Sequence, residues 1–275
     1  MIIIYAVIIL ISFVFLFRWR FGVQTAYHKC VKDGFETVPN VKVVIGEDDL
    51  SHLPEPVKRY LDYVGIVGSE HLTHFKVEFD GQMCLDKERD WSPVSGEQHT
   101  FINDGIRLFL MSMKYKSLII NGLHHFNQDQ ASMVIKILDI IKVVDNRGEI
   151  MKKSETVTYF NDLCIFAPGS LIDKRILWED IDKKTVKASM TLRGVTVSAI
   201  LHFDDSGRLI NFVSNDRYAI EPDGSYKKKP WSTPLYEYKK INGLNLPVTG
   251  EAIWHYDDGD FSYLKLNIKN VIVNP

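Results

Sequence analysis

Few residues in this chain stand at spacings that chemistry requires. His124 and His125 invite a metal reading. Neighbours in a strand face opposite ways, so this pair cannot jointly ligate one ion from a single strand. Asp257-Asp258-Gly259-Asp260 is rich in oxygen ligands but lacks the EF-hand spacing and its distal glutamate, and reads as a solvated hairpin tip. Lys227-Lys228-Lys229 before Pro230-Trp231 would suit either anionic lipid headgroups or a strand edge guarded against aggregation. Cys30, Cys84 and Cys164 are too few and too scattered for a disulfide framework or a zinc site, and read as thiols. A nucleophile elbow, a Walker loop, a zincin helix and a Cys-x-x-Cys pair are all missing from the sequence. No metal and no cofactor is therefore expected, and any catalytic constellation would have to be assembled from distant positions.

The elements that would position such groups are mostly strands. From Leu177 to Val273 short strand-forming runs alternate with turns at Asp204-Asp205-Ser206-Gly207, Pro222-Asp223-Gly224-Ser225, Asn242-Gly243 and Asp257-Asp258-Gly259-Asp260. Asn, Asp and Gly tolerate the positive φ that tight hairpins need. Within these runs Val195, Val197, Ala199, Leu201 and Phe203 share one face, as do Leu264, Leu266 and Ile268, so the sheet is buried on one side. Earlier strands are predicted over 74–85, 96–103, 106–115 and 118–126, with Asn103-Asp104-Gly105 as a turn.

Three helices are predicted in the globular part. Ser51 opens the first, which ends at Gly65 and carries Val57, Tyr60, Leu61 and Val64 on one stripe. A second runs from Asp129 or Ser132 to about Val144 and is apolar nearly all round, with Ile137 and Ile140 among its buried residues. The third runs from Ser154 to about Leu163, with Ser154 as its cap.

Ile2 to Phe17 is apolar except for Ser12 and closes with Arg18-Trp19-Arg20, the pattern of a transmembrane anchor. No basic residue precedes the run and no small-x-small site follows it, which argues against a cleaved signal peptide. Arg18, Arg20, Lys29 and Lys32 on its C-terminal side place the globular part in the cytoplasm by the positive-inside bias; the opposite insertion would place it outside. We divide the chain into an anchor at 1–20, a juxtamembrane linker at 21–50 and one globular domain at 51–275. The net charge of −2 includes the two arginines, so the rest carries −4, and a nucleic-acid surface is not expected.

Several motifs resemble an uncharacterised bacterial family of membrane-anchored proteins, known only as a domain of unknown function. They are Leu53-Pro54-Glu55-Pro56-Val57-Lys58-Arg59-Tyr60-Leu61, Ser154-Glu155 with Tyr159-Phe160-Asn161-Asp162, Pro168-Gly169-Ser170-Leu171, Trp178-Glu179, Asp216-Arg217-Tyr218, Pro230-Trp231, and Gly250-Glu251 with Trp254. Thr158 departs from the family pattern, which has a basic residue there. The order of elements is also similar to bacterial lipoprotein carriers and receptors. That likeness implies an α+β, mainly antiparallel fold: a large curved meander sheet forming an unclosed barrel that wraps one or two helices around an apolar cavity.

Within those motifs Glu155, Asn161, Arg217, Tyr218, Glu251 and Trp254 are the polar and aromatic candidates for a ligand site, with Ile137 and Ile140 as its apolar part. One arrangement pairs Arg217 with Glu155 or Glu251 inside the barrel as a structural tie. The other sets them at a cavity mouth, where they fix the polar end of an apolar ligand. The expected function is a membrane-anchored, non-catalytic domain that binds a lipid or other hydrophobic small molecule. The alternatives are an enzyme on a lipid-like or envelope substrate, acting through Glu155, Arg217 and Glu251, and a structural module of the cell envelope with a protein partner and no ligand.

Overall fold

The computed structural model describes residues 4, 5, 9, 12, 22–38, 42–85, 87, 88, 90–221 and 224–274. The expected anchor at 1–20 lies almost wholly outside the described residues, among which no helix is long and apolar enough to cross a membrane. Helix α1 (Val23–Phe35) occupies part of the stretch expected as a linker. Val23 and Tyr27, one turn apart, pack with Phe101, Leu108 and Leu123, so α1 rides on one face of the sheet. Helix α2 (Glu55–Val64) begins later than predicted, because Pro54 stands at its N-cap and Pro56 fits its first turn, while Ser51 closes the short 3-10 turn Glu47–Leu50 before it. Gly65, at φ 82°, ends it. Its stripe of Val57, Tyr60, Leu61 and Val64 is fully buried, as expected.

Six antiparallel strands follow: β1 (His74–Met83), β2 (Ser92–Phe101), β3 (Ile106–Tyr115), β4 (Leu118–Phe126), β5 (Ala131–Ile137) and β6 (Ile141–Arg147). Helix α3 (Glu149–Phe166) then carries the chain to the other edge of the sheet. There begin β7 (Ile176–Asp182), β8 (Thr185–Leu192), β9 (Val195–Phe203) and β10 (Leu209–Ser214). A hairpin of β11 (Tyr218–Ile220) and β12 (Tyr226–Lys228) leaves the sheet, β13 (Trp231–Pro234) rejoins it, and a second hairpin of β14 (Tyr238–Ile241) and β15 (Leu244–Pro247) leaves again. The chain closes with β16 (Thr249–Tyr256) and β17 (Gly259–Val273).

The main sheet holds thirteen strands in the order β6-β5-β4-β3-β2-β1-β17-β16-β13-β10-β9-β8-β7. It is two meanders joined at β1 and β17, with β6 and β7 as its free edges, so the barrel is unclosed. Gly81 sits on the joining seam opposite Leu266, where an added Cβ would lie 1.9 Å from the Lys265 carbonyl oxygen. Gly81→Ala should therefore strain the seam and lower stability by about 1–3 kcal/mol, read from a urea melt.

Two helix expectations need correction. The predicted helix over 129–144 is the β5–β6 hairpin. Its Ile- and Val-rich run is β-branched and favours strand, and Leu138 and Asp139 take positive φ in a tight turn closed by Ile140 N–H donating to the Ile137 carbonyl. What looked apolar all round is two faces of an edge ribbon. Helix α3 starts at Glu149 rather than Ser154, which lies inside it. Fourteen of its eighteen residues are buried, including Glu155, Thr158, Asn161 and Asp162, so it carries polar groups into the interior.

Candidate functional site

Glu155, Thr158 and Asp162 recur at three- and four-residue intervals on α3, so they share one face of the helix. That face looks into a cavity of about 450 Å³. The opposite wall comes from the inner faces of the strands: Phe79 on β1, Phe109 and Met111 on β3, Met133 and Ile135 on β5, and Leu266 and Ile268 on β17. Ile165 and Phe166 of α3 add to this apolar lining, and the polar wall is built jointly by α3 and by Gln98, Arg107 and His124 of β2, β3 and β4.

The centre of the polar wall is a buried ion cluster. Arg107, projecting from β3, donates from Nε to Asp162 Oδ2 at 2.6 Å and from Nη1 to Glu155 Oε2 at 3.1 Å. His124 Nδ1 on β4 lies 2.6 Å from Glu155 Oε1, and Gln98 Nε2 donates to Asp162 Oδ2 at 2.8 Å. Burial alone would raise the Glu155 pKa, but His124, Arg107 and Arg217 together reverse this and hold it at about 2. Burial works against the Arg107 charge, and Asp162 and Glu155 outweigh it, so the guanidinium pKa is raised. Beside the cluster Thr233 Oγ1 donates to Asn161 Oδ1 at 2.6 Å.

Arg217 stands apart from these ions. Trp231 and Trp254 face each other across β13 and β16, and the Arg217 guanidinium lies over both rings, 4.3 Å and 5.3 Å from their centroids. Its Nη1 reaches Tyr263 Oη at 3.4 Å, and its Nε is buried without a hydrogen-bond partner among the described residues. The neighbouring Asp216 accepts from Ser198 N–H and from Lys228 Nζ, both at 2.9 Å, and Tyr218 N–H donates to Ser154 Oγ at 3.2 Å, so the backbone on both sides of Arg217 is tied down.

All six polar and aromatic candidates line this cavity: Glu155, Asn161, Arg217, Tyr218, Glu251 and Trp254. The structural pairing expected of Arg217 is corrected, since Arg107 rather than Arg217 holds Glu155, while Glu251 accepts from Ser262 Oγ at 2.5 Å and Tyr236 Oη at 3.2 Å. Ile137 and Ile140 do not line the cavity, because they belong to the β5–β6 hairpin and its turn; Ile135 takes their part. His124 and His125 do point to opposite faces, the first into the cluster and the second toward α1, where its Nδ1 lies 3.8 Å from Cys30 Sγ. Burial and Asp33 raise the Cys30 pKa, so this thiol should react with maleimide at neutral pH more slowly than free cysteine does. The lysine run is largely engaged, Lys228 with Asp216 and the buried Lys229 with Asp257 at 3.1 Å.

Sequence reasoning missed Arg107, His124, Gln98 and Asp162 as site residues. A signal for Arg107 was present: it falls in phase with Phe109, Met111 and Met113 on an inward strand face, where a charge needs a buried partner. Asp162 lies seven residues after Glu155, two helical turns along the same face.

A model of a family of unknown function (DUF6544) matches residues 43–266. No curated protein matches the chain. Three solved structures are similar in fold. One, described as an outer membrane lipoprotein-sorting protein domain from Vibrio parahaemolyticus, is 12% identical with a TM-score of 0.41, over 73% of this chain and 85% of that one. A LolA superfamily protein from Nitrosomonas europaea is 9% identical with a TM-score of 0.40, over 80% of this chain and 92% of that one. A DUF1329 family protein from Desulfovibrio piger is 10% identical with a TM-score of 0.40, over 80% and 94%. The expected likeness to lipoprotein carriers is found, at a level that carries no argument about function.

Proposed function

The chain belongs to the family of unknown function DUF6544, and from that premise we propose that it is a membrane-anchored, non-catalytic domain that binds a lipid or other hydrophobic small molecule in the barrel cavity. The observation that carries this reading is a cavity lined mostly by apolar side chains, with its polar groups gathered around the Arg107 cluster and Arg217. A volume of about 450 Å³ suits one small amphiphile rather than a whole bilayer lipid. Phe109, Met111, Ile135, Leu266 and Ile268 meet its chain. Arg217, whose Nε has no hydrogen-bond partner among the described residues, donates to an acceptor at its polar end, with Trp231 and Trp254 holding the guanidinium in place. The apolar run from Ile2 to Phe17 supports the anchor, and the arginines after it favour a cytoplasmic domain.

The competing catalytic reading needs a carboxyl that exchanges protons near neutrality. Glu155 is held ionised down to about pH 2 by its cationic partners and does not meet that need.

Displacement of a fluorescent fatty-acid probe tests the reading. Met111→Trp fills the cavity and should weaken probe binding by about tenfold or more, roughly 1.4 kcal/mol. Arg217→Ala should weaken a carboxylate probe by a similar factor while leaving an unsubstituted hydrocarbon of the same length unaffected. Equal binding by wild type and Met111→Trp would place the ligand elsewhere.

A further inference from the structure

Away from the cavity lining, we infer that the tips of the β3–β4 and β5–β6 hairpins form a docking surface for an anionic lipid bilayer and set the cavity rim against it. The first observation is a cluster of uncovered apolar side chains. Leu118, Ile119, Leu138, Ile140, Ile141 and Val143 are all exposed, Ile141 to 60% and Val143 to 50%. They are contiguous: Leu138 N–H donates to the Ile119 carbonyl at 2.8 Å, Ile120 pairs with Ile137, and Ile137 pairs with Ile141. Leu138 takes φ 53° at the turn apex, where Asn or Gly is ordinarily favoured. A leucine there carries both the strain of a left-handed backbone and the cost of hydration.

Charge selects the partner. Lys114 and Lys116 flank the β3–β4 tip, and Lys142 and Arg147 share the single carboxylate of Asp145 at 2.6 Å each, which leaves a surplus of positive charge there. Apolar side chains ringed by lysines suit the boundary between phosphate headgroups and acyl chains. The acidic tip at Asp257-Asp258-Gly259-Asp260 lies at this same end of the sheet, on the β16–β17 hairpin beside the β1–β2 connection, and its carboxylates are engaged by Lys229, Lys87 and His255.

Register places this surface beside the cavity rim. Met83 pairs with Ser92, Val94 with Met113, Tyr115 with Leu118 and Ile120 with Ile137, so both tips lie at the same end of the sheet as Met83, Cys84 and Leu85, which line the cavity. Helix α1 points to that end too. Phe35 contacts His74, His99 and Phe101, whereas Tyr27 contacts His99 and lies close enough to Glu97 to feel its charge, so its N-terminal end, to which the apolar run 2–17 leads, advances along β2 toward the rim.

Spin labels on the full chain, reconstituted in phosphatidylcholine vesicles containing phosphatidylglycerol, test the inference. In a Cys30→Ser background, labels at Ser117→Cys and Leu138→Cys should be more accessible to oxygen than to a water-soluble nickel complex, while a label at Asn103→Cys, in the turn at the far end, stays aqueous. A Lys114→Glu, Lys116→Glu variant should return the tip labels toward the aqueous ratio, at least halving the difference. Tip labels as aqueous as Asn103→Cys would overturn the inference. So would dipolar broadening at Leu138→Cys that persists on dilution into excess lipid, which would assign the surface to a second copy of the chain.

Discussion

Replacing Arg107 with methionine should destabilise the domain by about 3–5 kcal/mol, read as a lower urea midpoint at unchanged slope. Methionine fills much of the same space, so the loss is electrostatic. Arg107 is the group that neutralises Asp162 Oδ2 and Glu155 Oε2 together, and both carboxylates lie inside the barrel with 7% or less of their side-chain surface exposed. Without it two carboxylates press on one another with His124, Gln98, Asn161 and the more distant Arg217 in support. Removing the negative charges as well, in Arg107→Met, Glu155→Gln, Asp162→Asn, should recover most of the loss, since a buried ion cluster contributes less net stability than breaking it costs. A single variant as stable as wild type would mean that the carboxylates find water or another cation.

Acidification should weaken the fold in two stages. His74 Nε2 and His99 Nδ1 lie 2.8 Å apart, buried beneath Phe35 of α1. Burial lowers both, His74 to about 3 and His99 to about 4, against an ordinary 6.5. A group depressed in the folded state contributes stability above its unfolded pKa and loses it as the pH falls toward the folded value. The first decline therefore starts near pH 6.5 and runs toward 4 and then 3. Glu155 adds the second, from its ordinary 4.5 down to about 2, worth on the order of 3 kcal/mol. Urea midpoints from pH 8 to 4 read the first stage. In His74→Phe, His99→Phe the decline between pH 6.5 and 4.5 should be much reduced, the remainder coming from His125, whose pKa burial and Arg147 also lower, while the loss below 4.5 persists. Wild-type midpoints that stay flat from pH 7 to 5 would show that the pair takes up protons without cost.

The strands were legible because their signals are local. The turn at Asn242-Gly243 takes φ 50° and 86°, as its residue types demand, and β3 and β4 occupy 106–115 and 118–126 as the alternation predicted. The run 133–144 was misread because nearly continuous apolarity suits a buried helix and a hairpin alike, and β-branching decides between them. Ile137 and Ile140 were lost to the candidate site with that helix. The polar candidates fared better, since a carboxylate and an arginine in otherwise structured segments need somewhere to go, and Glu155 and Arg217 both meet the cavity. Their partners were not legible. That Arg107 rather than Arg217 meets Glu155 depends on how α3 lies within the curved sheet, so that the long Arg107 side chain of β3 reaches it, which no spacing along the chain reveals.

Native mass spectrometry of the full chain, released from the membrane of a bacterial host and followed by organic extraction, tests the central claim most directly. The account predicts a mass increment from one small amphiphile, bearing an acceptor group at its polar end, that is lost in Met111→Trp. An apo mass in wild type and Met111→Trp alike, with added fatty acid failing to bind either, would contradict it and leave the barrel a structural module.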